Sequence, residues 1–222
     1  MLKSSMTIKL ICLDMDGVIF KDTNFWMNVH EVFGTLEQGK ILTKQYLHTD
    51  YQRLVEEVVH KLWKGKDATP YIDLVNSIEY MQGVSQLMHY VKEQGWVTAI
   101  VSASSIDVAR RVQRDYSIDH LFANELVIQE NTVTGEFLWP IGVGGESKAR
   151  IVQQLCKDLS IKPQEVVYLG DSTNDIEAFE YVGNTIAFNP LDDRLRELAT
   201  YVVESKNIAD VMPVLKELVL AQ

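Results

Sequence analysis

Cysteine is scarce in this chain: among 222 residues only Cys12 and Cys156 occur, with no C-x-x-C spacing. Such usage argues for reduced, structural thiols in a cytoplasmic protein rather than for a disulfide framework. Long apolar runs are lacking too, and the N-terminus passes into the first apolar run without a signal-peptide pattern. No membrane partner is therefore expected. Basic residues are in deficit, with 21 Lys and Arg against 31 Asp and Glu and a net charge of −10. A surface of that sign speaks against a nucleic-acid partner. The histidines at 30, 48, 60, 89 and 120 are scattered without metal-ligand spacing, so no zinc site is expected. Internal repeats and low-complexity tracts are absent.

What remains is a chain with 46% hydrophobic and 23% charged residues, enough for one substantial core and a small appendage. Three apolar, β-rich runs each end in a polar cluster. The first, Ile8 to Leu13, stops in Asp14-Met15-Asp16-Gly17. In an extended segment residues i and i+2 point the same way, so Asp14 and Asp16 can share a pocket. Gly17 then lets the backbone turn and approach a ligand closely. Two carboxylates this close need a cation or a shared proton, and Mg²⁺, a hard cation that accompanies phosphate, is the candidate. The second run, Trp96 to Val101, ends in Ser102-Ala103-Ser104-Ser105, whose hydroxyls can donate to an anion. The third, Glu165 to Leu169, ends in Gly170-Asp171-Ser172-Thr173-Asn174-Asp175. Open α/β sheets bind ligands at such C-terminal strand ends. Between the last two lies the glycine-rich Gly142 to Lys148, which delivers a lysine at a helix start, as suits a phosphate. It lacks the spacing of a nucleotide-binding P-loop, which makes a kinase reading weak.

From about Asn24 to Asn76 the pattern turns helical. Starts are suggested at Thr35, three residues before Gln38, at Thr49, three before Gln52, and at Thr69-Pro70, with stops at Gly34 and Gly65. Tyr51, Leu54, Val55, Val58, Leu62 and Trp63 fall on one face at α-helical spacing. Gly83 to Gln94 reads as a helix stopped by Gly95, and Leu121 to Leu138 as a hairpin closed by Trp139-Pro140. Trp26 and Trp63 suit either the inner surface of this insertion or its core, and core is the commoner fate of tryptophan on amphipathic helices.

These residues resemble the haloacid-dehalogenase-like phosphohydrolases, through D-x-D at Asp14 and Asp16, Ser102, Lys148 and G-D-x-x-N-D from Gly170 to Asp175, in that order. The fourth motif, the Phe122-Ala123-Asn124-Glu125-Leu126 segment and the position of the inserted helices are similar to the phosphoserine-phosphatase-like branch. The resemblance implies an α/β fold, a doubly wound Rossmann-like parallel sheet over residues 1–20 and 79–222 with an inserted helical cap domain at 21–78. It also implies a Mg²⁺-dependent phosphomonoesterase acting on a small phosphorylated metabolite, with phosphoserine a candidate, through an aspartyl-phosphate. A phosphotransferase or mutase using the same intermediate, and a catalytically idle phosphate-binding protein, are the alternatives.

By that resemblance Asp14 is the nucleophile and Asp16 the general acid and base. Ser102 and Lys148 bind phosphoryl oxygens. Asp14, the Asp16 backbone carbonyl, Asp171 and Asp175 hold Mg²⁺, and Asn174 orients a neighbour or touches substrate. Phosphoserine phosphatases grip their substrate with a glutamate after the first motif and an arginine in the cap. Here Thr23 occupies the first position, beside Asp22; the second falls near Val58, with Arg53 the nearest arginine, and Ala103 replaces a common glycine. Asp22, Thr23, Trp26 and Arg53 are thus the residues expected to meet the leaving group.

Overall fold

The computed structural model describes residues 7–21 and 24–220. Strand β1 (Leu10–Leu13) is buried along its whole length, because it is the centre of a sheet covered on both faces. A helical insertion follows: α1 (Phe25–Val32), α2 (Leu36–Tyr46), α3 (Tyr51–Val55), a π-helical segment (Glu56–Trp63) and α4 (Thr69–Ser77). The chain continues through α5 (Val84–Glu93), β2 (Val97–Ser105), α6 (Ile106–Tyr116), the hairpin β3 (His120–Gln129) and β4 (Thr132–Leu138), and α7 (Glu146–Asp158). It ends with β5 (Val166–Gly170), α8 (Ile176–Tyr181), β6 (Asn184–Phe188), α9 (Asp193–Leu198), β7 (Tyr201–Val203) and α10 (Met212–Leu220).

The seven strands lie in the order β4-β3-β2-β1-β5-β6-β7, parallel except for β4. Successive strands run outward from β1 on one side through β2 and on the other through β5. Such a reversal opens a crevice at the strand ends. Strand alternation divides the core. Ile11 and Leu13 pack with Leu87, Val91, Val108 and Leu215 on one face, whereas Leu10 and Cys12 pack with Val152, Leu155 and Phe179 on the other. Cys12 and Cys156 are buried and unpaired with each other. The hairpin lies outside the parallel alternation, as its sequence suggests, and turns at Glu130 and Asn131, both with positive φ. No helix among the described residues is long and apolar enough to cross a membrane.

Three local expectations change. The serine cluster belongs to β2 rather than following it, with an irregular register between Val101 and Ser105. The third helix of the insertion is capped by Asp50, whose carboxylate accepts from the Arg53 amide, rather than by Thr49. Residues 56–63 form a π-helix, so Val58, Val59 and Trp63 are buried while Leu62 is only partly covered. The wider turn brings residues five apart onto one face, a periodicity that α-helical spacing does not anticipate.

His30 shows how the insertion packs. Its ring is 2% exposed, its Nδ1 lies 2.8 Å from Thr35 Oγ1, and it contacts the Trp63 ring at 4.7 Å. A Cβ at Gly39 would come within 2.5 Å of that ring, so α2 can pass only with glycine there. Burial pushes the His30 pKa down to about 4. The unfolded chain takes up a proton near 6.5 while the folded ring stays neutral, so this contribution is complete above 6.5 and is lost as pH falls toward 4. The shift corresponds to about 3 kcal/mol. The stability advantage of the protein over its His30→Asn variant should therefore shrink between pH 7 and 4.5 in parallel urea titrations.

Candidate active site

β1 ends by donating the Asp14 amide to the Leu169 carbonyl of β5, which holds the carboxylate of Asp14 at the crevice. One carboxylate oxygen accepts from the Met15 amide at 2.6 Å and the other from Lys148 Nζ at 2.6 Å. Asp16 Oδ2 accepts from the Phe25 amide in the first turn of α1, tying the turn after β1 to the insertion. Gly17, at φ +74°, passes so close to Asp171 that a Cβ there would lie 2.1 Å from its Oδ2. Any side chain at 17 would strike that carboxylate.

Lys148, on the first turn of α7, is wholly buried. Its ammonium donates to Asp14, to Asn174 Oδ1 at 2.9 Å and to Asp175 Oδ1 at 2.7 Å, which commits all the protons it has. Burial pulls its pKa down, but the Asp14 and Asp175 charges outweigh that and the net shift is upward. Asp175 is saturated as well: Tyr168 Oη donates to Oδ1 at 3.0 Å, and the Asp171 and Ser172 amides donate to Oδ2. Burial raises the Asp175 pKa; Lys148 opposes and Asp14 reinforces this, leaving it at about 6. Burial, then the charges of Asp14 and Asp175, push Asp171 to about 8.

Oxygens of Asp14, Asp171 and Asp175 lie within 4.8 Å of one another, and all three residues are buried. Three acids around one lysine leave an excess of negative charge, which a divalent cation would offset. Asp14, Asp16, Ser102, Asp171 and Asn174 line a cavity of about 270 Å³ at the crevice, with Trp26 and Tyr51 of the insertion forming its far wall.

A family model for haloacid dehalogenase-like hydrolases matches residues 8–183. The chain belongs to the haloacid dehalogenase-like hydrolases. The phosphoserine phosphatase of Archaeoglobus fulgidus is 28% identical over 94% of this chain. That of Idiomarina loihiensis is 33% identical over 65% of it. The chain spans 60% and 64% of the length of these two relatives. A solved phosphoserine phosphatase, captured as a phospho-aspartyl intermediate analogue, superimposes with a TM-score of 0.80 at 22% identity, covering 94% of this chain and 99% of that one. The α/β fold expected from the motifs is the family's fold.

Within this hydrolase the expected site residues divide. Asp14, Asp16, Ser102, Asp171, Asn174 and Trp26 meet at one cavity, with Lys148 and Asp175 directly beneath it. Asp16 is not among the three clustered acids. Trp26 is a wall residue whose indole N–H donates to the Ala103 carbonyl at 2.8 Å, whereas Trp63 is core. Arg53 is elsewhere: it pairs with Glu56 and Glu57 on its own helical stretch and lines no part of the cavity. Asp22 and Thr23 lie outside the described residues.

Two participants escaped the sequence reading. Tyr168 holds Asp175, and buried Asn124 joins two loops by donating to the Ala103 and Gly142 carbonyls while accepting from the Ile141 and Gly142 amides. Tyr168 is a polar-tipped residue in an otherwise apolar strand, which is the signal that marks it, whereas Asn124 sits among other polar residues of β3 and has no such signal. A buried polar group there needs a partner.

Proposed function

We propose that this hydrolase is a Mg²⁺-dependent phosphomonoesterase acting on a small phosphorylated metabolite through an aspartyl-phosphate. The observation that carries the reading is Asp14: one oxygen held by Lys148 and one by a backbone amide, beside two further buried acids. Residues 21–78 serve as the cap and residues 1–20 and 79–222 as the core.

In the first step Asp14 attacks phosphorus and the bond to the leaving oxygen breaks, while Asp16 gives that oxygen its proton. In the second, Asp16 takes a proton from water, which attacks the aspartyl-phosphate, releases inorganic phosphate and restores Asp14. Ser102 orients phosphoryl oxygens. Lys148, expected to bind phosphoryl oxygens, spends its three protons on Asp14, Asn174 and Asp175, and so aims the nucleophile and holds the acidic loops in register. Asp14 and Asp171, with the Asp16 carbonyl, would hold Mg²⁺, with Asp175 supporting them through its amide contacts. When bound, the ion would supply charge neutralisation for the incoming phosphate. Beyond the proton that Asp16 supplies, the leaving group makes no demand on these residues, so the cap selects the substrate.

The direct test is phosphate release from a panel of phosphorylated amino acids, sugars and nucleotides with Mg²⁺, with and without an added alcohol acceptor. Release as inorganic phosphate supports hydrolysis; quantitative transfer to the alcohol would make the protein a phosphotransferase, and tight vanadate binding without turnover an idle binder. EDTA should abolish activity and Mg²⁺ restore it.

Metal-free stability offers a second check. Asp171 at about 8 and Asp175 at about 6 are raised above the usual 3.8, so the folded state binds more protons than the unfolded chain. Their favourable contribution is complete below about 4 and is lost as pH rises through 6 to 8. In EDTA the melting temperature should therefore lose ground between pH 5.5 and 8.5. Mg²⁺, which favours the ionised acids, should raise it more at pH 8.5 than at 5.5. Equal stabilisation at both would separate the acids from the metal site.

A further inference from the structure

The reaction cavity adjoins a second one against the helical insertion. The two share Asn24, Trp26, Leu47 and Tyr51 as walls. This second cavity measures about 120 Å³ and is lined further in by Leu54, Val59, Trp63 and Phe137. No Asp, Glu, Lys or Arg lines it. Its imidazole, His30, has Nδ1 engaged with Thr35, and the Asn24 carboxamide oxygen caps α1 at the Met27 amide. Trp26 stands between the two spaces, pinned to the Ala103 carbonyl next to Ser102, with its ring 5.1 Å from Phe137 and 6.2 Å from Trp63. The inner wall is built partly by the π-helical segment, a costly geometry that recurs at functional sites.

Charge decides what this space can take. Among the described residues lining the two cavities the carboxylates are Asp14, Asp16 and Asp171, the basic side chains are the imidazoles of His30 and His48, and no lysine or arginine is present. Lys148 has every proton committed, Arg53 is paired with its own helical neighbours, and neither Asp22 nor Thr23 could supply a positive charge. A carboxylate on the leaving group would be desolvated here against acids, with no lysine or arginine to pair with it. An uncharged apolar group would fit, and apolar cavities of roughly 150 Å³ accept a benzene ring.

We propose that the inner cavity is the leaving-group subsite, and that the preferred substrate is the phosphate monoester of an uncharged alcohol carrying a ring-sized apolar group. The proposal rests on the phosphomonoesterase reading and names its substrate class. It distinguishes this chain from a hydrolase whose leaving group is a zwitterionic amino acid.

The test compares kcat/KM with Mg²⁺ for 2-phenylethyl phosphate, ethyl phosphate and phosphoserine, all esters of primary alcohols. 2-Phenylethyl phosphate should exceed both others by at least about tenfold, the discrimination an apolar pocket supplies for added hydrocarbon. Thr43→Trp, which fills the inner cavity from a partly exposed position, should erase most of that advantage. In the unaltered protein 2-phenylethanol should inhibit competitively and more strongly than ethanol or serine. Phosphoserine turned over faster than 2-phenylethyl phosphate, or ethyl and phenylethyl esters turned over equally, overturns the proposal and leaves the phosphomonoesterase reading intact. No phosphate released from any of these esters or from p-nitrophenyl phosphate overturns both.

Discussion

Asp14→Asn is expected to lower kcat for phosphate release by at least about 10⁴-fold while the protein still folds. The substitution keeps the side chain's size and its acceptor for the Met15 amide, but removes the charged oxygen that would attack phosphorus. Lys148 retains Asn174 and Asp175 as partners, so its buried ammonium is not stranded. Steady-state phosphate release and a melting curve on the same preparation separate the two effects. A folded variant with a tenth of normal activity would remove Asp14 from the nucleophile's role. Asp16→Asn should behave differently, costing roughly 10²–10⁴ in rate by loss of proton transfer. Its defect should shrink in the first step for p-nitrophenyl phosphate, whose leaving oxygen needs no proton, whereas the Asp14→Asn defect should not depend on the leaving group.

Lys148→Met should produce the largest loss of stability, about 3–5 kcal/mol by urea unfolding at pH 8 in EDTA. Methionine approximates the lysine stem, so packing is largely kept. The ammonium, however, is the cation that Asp14 and Asp175 share at 2.6 and 2.7 Å, in a place water does not reach. Its removal leaves those charges facing Asp171 without a counter-ion. The loss should be smaller at pH 5.5, where Asp171, at about 8, and increasingly Asp175, at about 6, are neutralised by protons. A change below about 1 kcal/mol at pH 8 would mean that the lysine is not what holds the acids together. Activity should fall as well, since Asp14 loses the bond that aims one of its oxygens.

Much of the core site was legible because each of its residues sits at a local discontinuity. Asp14, Ser102 and Asp171 mark places where an apolar run meets polar residues, and such junctions survive in one dimension. Gly17 was legible for the same reason, although its partner, the Asp171 carboxylate, was not. The insertion was harder to read. Helices were found where expected, but their inner faces depend on turn geometry. The π-helical segment shifts which residues are buried, so Val59 enters the cavity wall and Arg53 stays with Glu57 outside it. Of the residues expected to meet the substrate, Trp26 and Asn174 line the cavity while Arg53 does not, since a position in a cap helix moves around the axis with each change of register.

By itself the sequence determined the α/β class, the polar strand ends and the acid, serine and lysine types needed for phosphate chemistry, because alternation and the chemistry of single residues are local properties. Only the tertiary structure decided that β1 lies between β2 and β5, that Lys148 is sunk beneath Asp14 with every proton used, and that an uncharged cavity adjoins the reaction centre behind Trp26. These depend on which distant segments pair and how closely they pack. Lys148 stands 134 positions from Asp14. Periodicity says which face of an element is apolar but not which partner covers it, and here the partner sets the charge around the site.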